Sequence, residues 1–181
     1  MNKTIIIVTI LAALAFICSC TQSKLETTYN NQENKIDSYI NGQIEKNQSY
    51  RAVRNGGGNR LVTVEGEGEE LTPNGYVSFY YAGYTFNGNF SQSGMFVTNH
   101  QATAEQAGWN LTDADYSLYE TNLADAKLIQ GLKDGLIGVR EGEECEILFS
   151  GKYGFGDEDF GIIPANSALL YKIWVVGVAN N

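Results

Sequence analysis

From Tyr76 to Phe86 the chain is a long run rich in Tyr and Phe that stops at the turn dipeptide Asn87-Gly88. A run of that length and bulk needs a sheet to sit in. Other strand-like stretches surround it. Leu61, Thr63 and Glu65 alternate with Val62 and Val64, and Glu144 to Ser150 and Ala168 to Val178 read as a further pair. Pro73-Asn74-Gly75 marks a turn. Among these strands only Ala124 to Val139 has helical spacing, through Leu128, Ile129, Leu132 and Leu136, with Gly138 at its end. The pattern predicts an α+β fold, an antiparallel sheet wrapped on one short helix. At 181 residues and 43% hydrophobic, the chain has room for one such domain plus tails.

The N-terminus reads as an address. Lys3 precedes an apolar run from Ile5 to Cys18, broken only by Thr9, with the form of a secretory signal and too short to span a bilayer comfortably. It ends Ile17-Cys18-Ser19-Cys20, which resembles a bacterial lipobox: small Ser19 precedes Cys20, whereas bulky Ile17 precedes Cys18. Residues 1–19 are therefore expected to be a lipoprotein signal peptide, and acylated Cys20 to hold the protein in a bilayer. Thr21 after that cysteine points to the outer membrane, and so to the cell envelope. With Cys18 removed and Cys20 acylated, Cys145 has no partner for an internal disulfide.

Residues 20–59 are polar and are expected to form a tether, with the folded domain running from 60 to 181. Within the tether Ile36, Tyr39, Ile40 and Ile44 recur at helical spacing. Such a stripe serves either to dock or dimerise or to pack on its own domain. Gly56-Gly57-Gly58 breaks the chain before the domain, and no Lys-Ser or Lys-Thr follows to make it a phosphate loop.

Composition excludes several functions. A net charge of −9, from 12 basic and 21 acidic residues without a basic cluster, argues against nucleic acid as a partner. One His and three Cys leave little for a metal site, and Asp157-Glu158-Asp159 lacks the spaced oxygens of a calcium loop. No metal and no cofactor are expected.

Four blocks, in order, resemble the FKBP-type peptidyl-prolyl isomerases. Tyr81-Ala82-Gly83 with Asn87-Gly88-Asn89-Phe90-Ser91-Gln92-Ser93 is similar to the family's YxG…DGxxFDSS. Leu128-Ile129-Gln130-Gly131-Leu132-Lys133-Asp134-Gly135-Leu136 resembles VIxGWxxGL. Glu141-Gly142-Glu143, Glu146 to Phe149 and Tyr153-Gly154-Phe155-Gly156 resemble GxK…IPxxLAYG. Gly161-Ile162-Ile163-Pro164-Ala165-Asn166-Ser167-Ala168-Leu169-Leu170-Tyr171 is similar to GxIPPNSxLxF.

The resemblance implies an FKBP-like sheet curled round one helix, and catalysis of X-Pro isomerisation in proline-containing polypeptides by an apolar pocket. By position it assigns Tyr81, Phe90, Ile129, Phe155 and Ile163 to the catalytic pocket, with the Ile129 N–H binding a ligand carbonyl. Ser91, Leu128, Leu132, Ile162 and Tyr171 fall on further substrate-pocket positions. Without the ordered blocks, Tyr81, Leu132 and Tyr171 read as core, since aromatic residues dominate any buried layer.

The departures are specific. Ser91 stands where the family has Asp after its pocket Phe, Leu132 where it has Trp, and Phe155 where it has the Tyr whose hydroxyl binds a substrate carbonyl. Residues 94–127 form a longer flap than in compact members, and Tyr116 or Tyr119 in it is a candidate pocket wall. Two functions are open: a lipid-anchored isomerase for exported proteins, or a weakly active module that binds apolar, proline-containing segments.

Overall fold

The computed structural model describes residues 3–180, with side chains from Gln22 onward except Ala114. The expected signal at 1–19 and acylation at Cys20 lie outside the described side chains. In order, the elements are α1 (Lys3–Lys46), β1 (Arg51–Asn55), β2 (Gly58–Val64), β3 (Tyr76–Phe86), β4 (Met95–Thr98), α2 (Gln101–Gln106), β5 (Tyr119–Asn122), α3 (Gln130–Leu136), β6 (Glu144–Phe149) and β7 (Ala168–Ala179). One curled antiparallel sheet has the order β1-β2-β6-β7-β3-β4, and β5 shares the outer edge of β3 with β4. Among the described residues, no helix is long and apolar enough to cross a membrane.

Both faces of the sheet are apolar, because each has its own helix. On one face, Val77 and Phe79 of β3, Ile147 and Phe149 of β6, and Leu169, Tyr171 and Ile173 of β7 pack with Leu132 and Leu136 of α3. The intervening residues, Tyr84, Phe86, Leu148 and Leu170, face the other way and bury Ile36 and Ile40 of α1. With side chains alternating along a strand, two covered faces read in sequence as the nearly unbroken apolar runs of β6 and β7. The stripe at Ile36 and Ile40 thus packs on its own domain, and both residues are fully buried.

Two expectations need correcting. The folded unit does not begin at Arg60: β1 pairs with β2 from Arg51↔Val62 to Asn55↔Gly58. Its polar sequence is that of a charged edge strand, which composition alone cannot tell from a tether. The helix expected over Ala124 to Val139 shortens to Gln130–Leu136, because Ile129 is extended (φ −61°, ψ 147°) and leaves Leu128 and Ile129 outside the helix. Glycines seat α3 directly on the sheet. A Cβ on Gly131 or Gly135 would enter the side chains of Phe149 or Ile147, and one on Gly58 would meet the α3 backbone.

At the other end of α3 the Arg60 guanidinium donates to the carbonyls of Gly135 (2.7 Å), Ile137 (2.8 Å) and Gly138 (3.0 Å). These are end-of-helix acceptors with no intrahelical donor. Glu143 lies 3.1 Å from Arg60 and is itself fully buried. Burial raises the Glu143 carboxyl above its ordinary range, and Arg60 opposes the shift.

Candidate functional site

A cavity of 390 Å³ opens between α3, the α3-facing side of β3 and β7, and the segment after β6. Its base is Leu132, Tyr171 and Phe79. Tyr81, Phe96, Val97 and Tyr119 wall the β3 side, Leu128 and Ile129 the α3 side, and Phe155, Phe160 and Ile163 the third, with Lys127 at the margin.

The aromatic walls contact one another edge to face. Tyr81 and Tyr119 have ring centroids 6.2 Å apart at 87°, and Phe96 and Tyr171 are 5.8 Å apart at 82°. Phe155 and Phe160 lie 4.8 Å apart. Such contacts favour fixed ring geometry beyond the area they bury. The Phe96–Tyr171 pair depends on Gly83, whose added Cβ would sit 2.9 Å from both rings.

The flap builds the β3 wall. β4 pairs with Ala82–Tyr84 and β5 with Tyr76–Phe79, leaving the edge of β3 bare at Tyr81 between them. Asn99 fills that gap. Its side-chain oxygen accepts the Tyr81 N–H at 2.6 Å, its own N–H donates to the Tyr81 carbonyl at 3.1 Å, and its Nδ2 donates to the Ser117 carbonyl at 2.9 Å. The last bond brings the chain back so that β5 can place Tyr119 beside Tyr81.

Three phenol hydroxyls, of Tyr81, Tyr119 and Tyr171, are the side-chain polar groups in the aromatic part of the wall. Burial, then Tyr119, raises the Tyr81 phenol, while burial, then Tyr81, raises that of Tyr171. Both stay protonated as neutral donors. The Ile129 N–H, just ahead of α3, has no hydrogen-bond partner among the described residues. The cavity is therefore an apolar, ring-walled space with a few neutral donors. It suits a small cyclic apolar group attached to a carbonyl.

Of the residues singled out in sequence, Tyr81, Leu128, Ile129, Leu132, Phe155, Ile163 and Tyr171 line this cavity. Phe90, Ser91 and Ile162 do not. Phe90 lies on the opposite face, 5.0 Å from Tyr84 and with the Lys172 ammonium 4.0 Å from its ring centre. Ser91 is exposed and bonds to Ser93 at 2.9 Å, and Ile162 is 68% exposed.

The cause is the connection between β3 and β4. It runs on past Phe90, and the register shifts so that Met95 opposes Tyr84 and Val97 opposes Gly83. Phe96 occupies that irregularity and turns into the cavity in place of Phe90, so the residue after the pocket Phe is Val97, not Ser91. Phe79, Phe96, Val97, Lys127 and Phe160 were not read as lining, although Phe79 lies two residues from Tyr81 on the same strand face, a usable signal.

A family model described as FKBP-type peptidyl-prolyl cis-trans isomerase matches residues 68–176. Peptidyl-prolyl cis-trans isomerase FKBP9 of Homo sapiens is 33% identical over 93 residues, covering 50% of this chain but 16% of that protein. The chain thus spans only a small part of the length of that relative. FK506-binding protein 1 of Aspergillus oryzae is 24% identical over 114 residues, 63% of this chain and 91% of the relative. Among solved structures, FkpA from Escherichia coli aligns with a TM-score of 0.54 at 20% identity, over 99% of this chain and 74% of that one. A peptidyl-prolyl cis-trans isomerase from Pseudomonas syringae aligns with a TM-score of 0.57 at 15% identity, over 86% and 96%. These two show a shared fold.

Proposed function

The chain belongs to the FKBP-type peptidyl-prolyl cis-trans isomerases, and from that premise we propose that the 390 Å³ cavity takes the prolyl ring of a polypeptide and lowers the barrier to rotation about its X-Pro bond. That barrier is about 18–20 kcal/mol because the twisted amide loses its resonance. No nucleophile or metal is needed to lower it. An apolar wall strips water from the planar imide, which is more polar than the twisted one, and a ring held in the pocket lets the carbonyl side turn.

The chain's own groups then have distinct roles. Leu132, Phe79 and Tyr171 receive the ring, the Ile129 N–H donates to a neighbouring carbonyl, and the phenols of Tyr81 and Tyr171 supply the donors that Phe155 lacks. Tyr171 carries a hydroxyl where the resembling motif ends in Phe. The carrying observation is the ring-walled cavity beside the unpartnered Ile129 N–H. The test is a protease-free isomerisation assay on the whole chain, with peptides varied at the residue before proline. Acceleration that Tyr81→Ala and Leu132→Gly abolish in folded protein supports the reading; no acceleration by a folded wild type overturns it.

A second reading is a weakly catalytic module that binds apolar, proline-containing segments. Leu132 and Phe155 favour it, since they stand where the resemblance implies Trp and Tyr, and so does Val97, which follows the cavity's Phe96 and brings no carboxylate to that wall. Tight peptide binding without turnover would select it.

The setting is part of the proposal. The run from Ile5 to Cys18 and Ser19-Cys20 support a protein held by acylated Cys20 in a bacterial envelope membrane, acting on exported or envelope proteins. Metabolic labelling with a palmitate analogue, lost in Cys20→Ala, tests this.

A further inference from the structure

The segment from Gly151 to Asn166 carries one wall of the cavity, Phe155, Phe160 and Ile163. Its two ends meet. A Cβ on Gly151 would press on the Asn166 backbone, and the Asn166 N–H donates to the Gly156 carbonyl at 2.5 Å. Loops of this kind, closed at the neck, keep their shape through contacts at that neck and within the loop.

Here the neck is closed from outside by α1. Gln32 donates its Nε2–H to the Asn166 carbonyl at 2.7 Å, and its Oε1 accepts the Gly151 N–H at 2.9 Å. One carboxamide thereby bonds one backbone group on each side of the neck. Tyr29, one turn earlier, donates its hydroxyl to Asn166 Oδ1 at 2.6 Å. Asn166 is held at φ 59°, a left-handed conformation that few residues other than Gly adopt. Gln32 and Tyr29 do not line the cavity.

We propose that Gln32 is a positioning residue for the cavity. Its carboxamide, seconded by the Tyr29 hydroxyl, clamps the neck of the Gly151–Asn166 segment so that Phe155, Phe160 and Ile163 stand at the spacing the prolyl ring requires. The helix that leads to the N-terminus is by this route part of the binding site. The inference rests on the reading of the cavity as an X-Pro site.

The test uses the whole chain, with Gln32→Leu, Tyr29→Phe and the control Ile44→Ala. Ile44 packs from the same helix against the sheet and has no part in the neck. Two readouts are needed: hydrogen exchange of residues 151–166, and KM and kcat for an Ala-Leu-Pro-Phe peptide. Gln32→Leu should raise exchange across 151–166 and raise KM about tenfold, the loss of two ordinary hydrogen bonds, with kcat changed by less than about twofold. Tyr29→Phe should move both in the same direction by less, and Ile44→Ala should move neither, even where its loss of global stability is as large. Unchanged exchange at the neck, or raised exchange with KM no different from Ile44→Ala, overturns the clamp. A wild type inert towards the peptide overturns the proposed function instead, and exchange at the neck then decides the clamp alone.

Discussion

Asn99 acts as a strand partner for Tyr81: its side-chain oxygen accepts the Tyr81 N–H at 2.6 Å, and its backbone N–H donates to the Tyr81 carbonyl at 3.1 Å. A single residue thus bridges the interval between β4 and β5 on one edge. Asn99 is 4% exposed, so water cannot readily replace it. Asn99→Ala leaves a largely buried N–H unpaired and should cost about 1–3 kcal/mol in urea unfolding. It should also reduce kcat/KM more than that of a surface variant of matched stability, because the backbone that carries the Tyr81 ring keeps its carbonyl bonds to residue 99 and Thr98 but loses the one to its N–H.

The pocket's missing hydroxyl is testable by restoration. Phe155 lines the cavity 4.8 Å from Phe160. Phe155→Tyr should improve kcat/KM by about two- to tenfold, one net neutral hydrogen bond. Tyr171→Phe should lower it by a similar factor. Val97→Asp should alter activity and Ser91→Asp should leave it unchanged, since Ser91 is exposed and bonded to Ser93. Activity that follows Ser91 instead would mean that the wall after Phe96 is not the substrate side.

His100 gives a signed pH prediction. Its ring lies flat on Trp174, with centroids 3.9 Å apart and 12° between planes, and its Nδ1 is 2.8 Å from Thr103 Oγ1. Burial lowers its pKa, and Glu144 pulls weakly the other way. The folded state prefers the neutral ring. The contribution is therefore present above the ordinary value of about 6.5 and is lost as the pH falls through the lower folded value. Between about pH 7.5 and pH 5 the urea midpoint of wild type should fall further than that of His100→Phe, which keeps the stack but cannot titrate. Parallel curves for the two would reject the effect.

How much of this is legible in the sequence depends on where the information lies. β3 and β7 are legible because long aromatic and aliphatic runs have few other uses, and the seat of α3 is legible through the spacing of Leu132 and Leu136. Phe90 and Phe96 show the limit. Both follow the Asn87-Gly88 turn, Phe90 closely and Phe96 after a further polar stretch, and only the register shift opposite Gly83 and Tyr84 decides which one enters the cavity. A one-place change of register exchanges the faces of a strand, and local composition holds no record of it. β1 is hidden for a different reason: an edge strand with two arginines has the composition of a linker. The neck contacts of Gln32, with Gly151 and Asn166 more than a hundred residues away, depend on the whole sheet being in place.

The burial of α1 changes what the minimal protein is. Ile36 and Ile40 are fully buried against Tyr84, Phe86, Leu148 and Leu170, and the Tyr39 hydroxyl donates to Glu146 at 2.8 Å on the same face. A fragment beginning at Arg51 would expose that apolar face of the sheet to water. Ile40→Ala should cost about 2–5 kcal/mol, as for other large-to-small changes in a core. The fragment from Arg51 should bind a hydrophobic dye and self-associate, whereas one from Gln22 should stay monomeric and unfold cooperatively. If both fragments unfold at the same urea midpoint, α1 adds nothing to the fold, and the clamp from Gln32 has no rigid base from which to act.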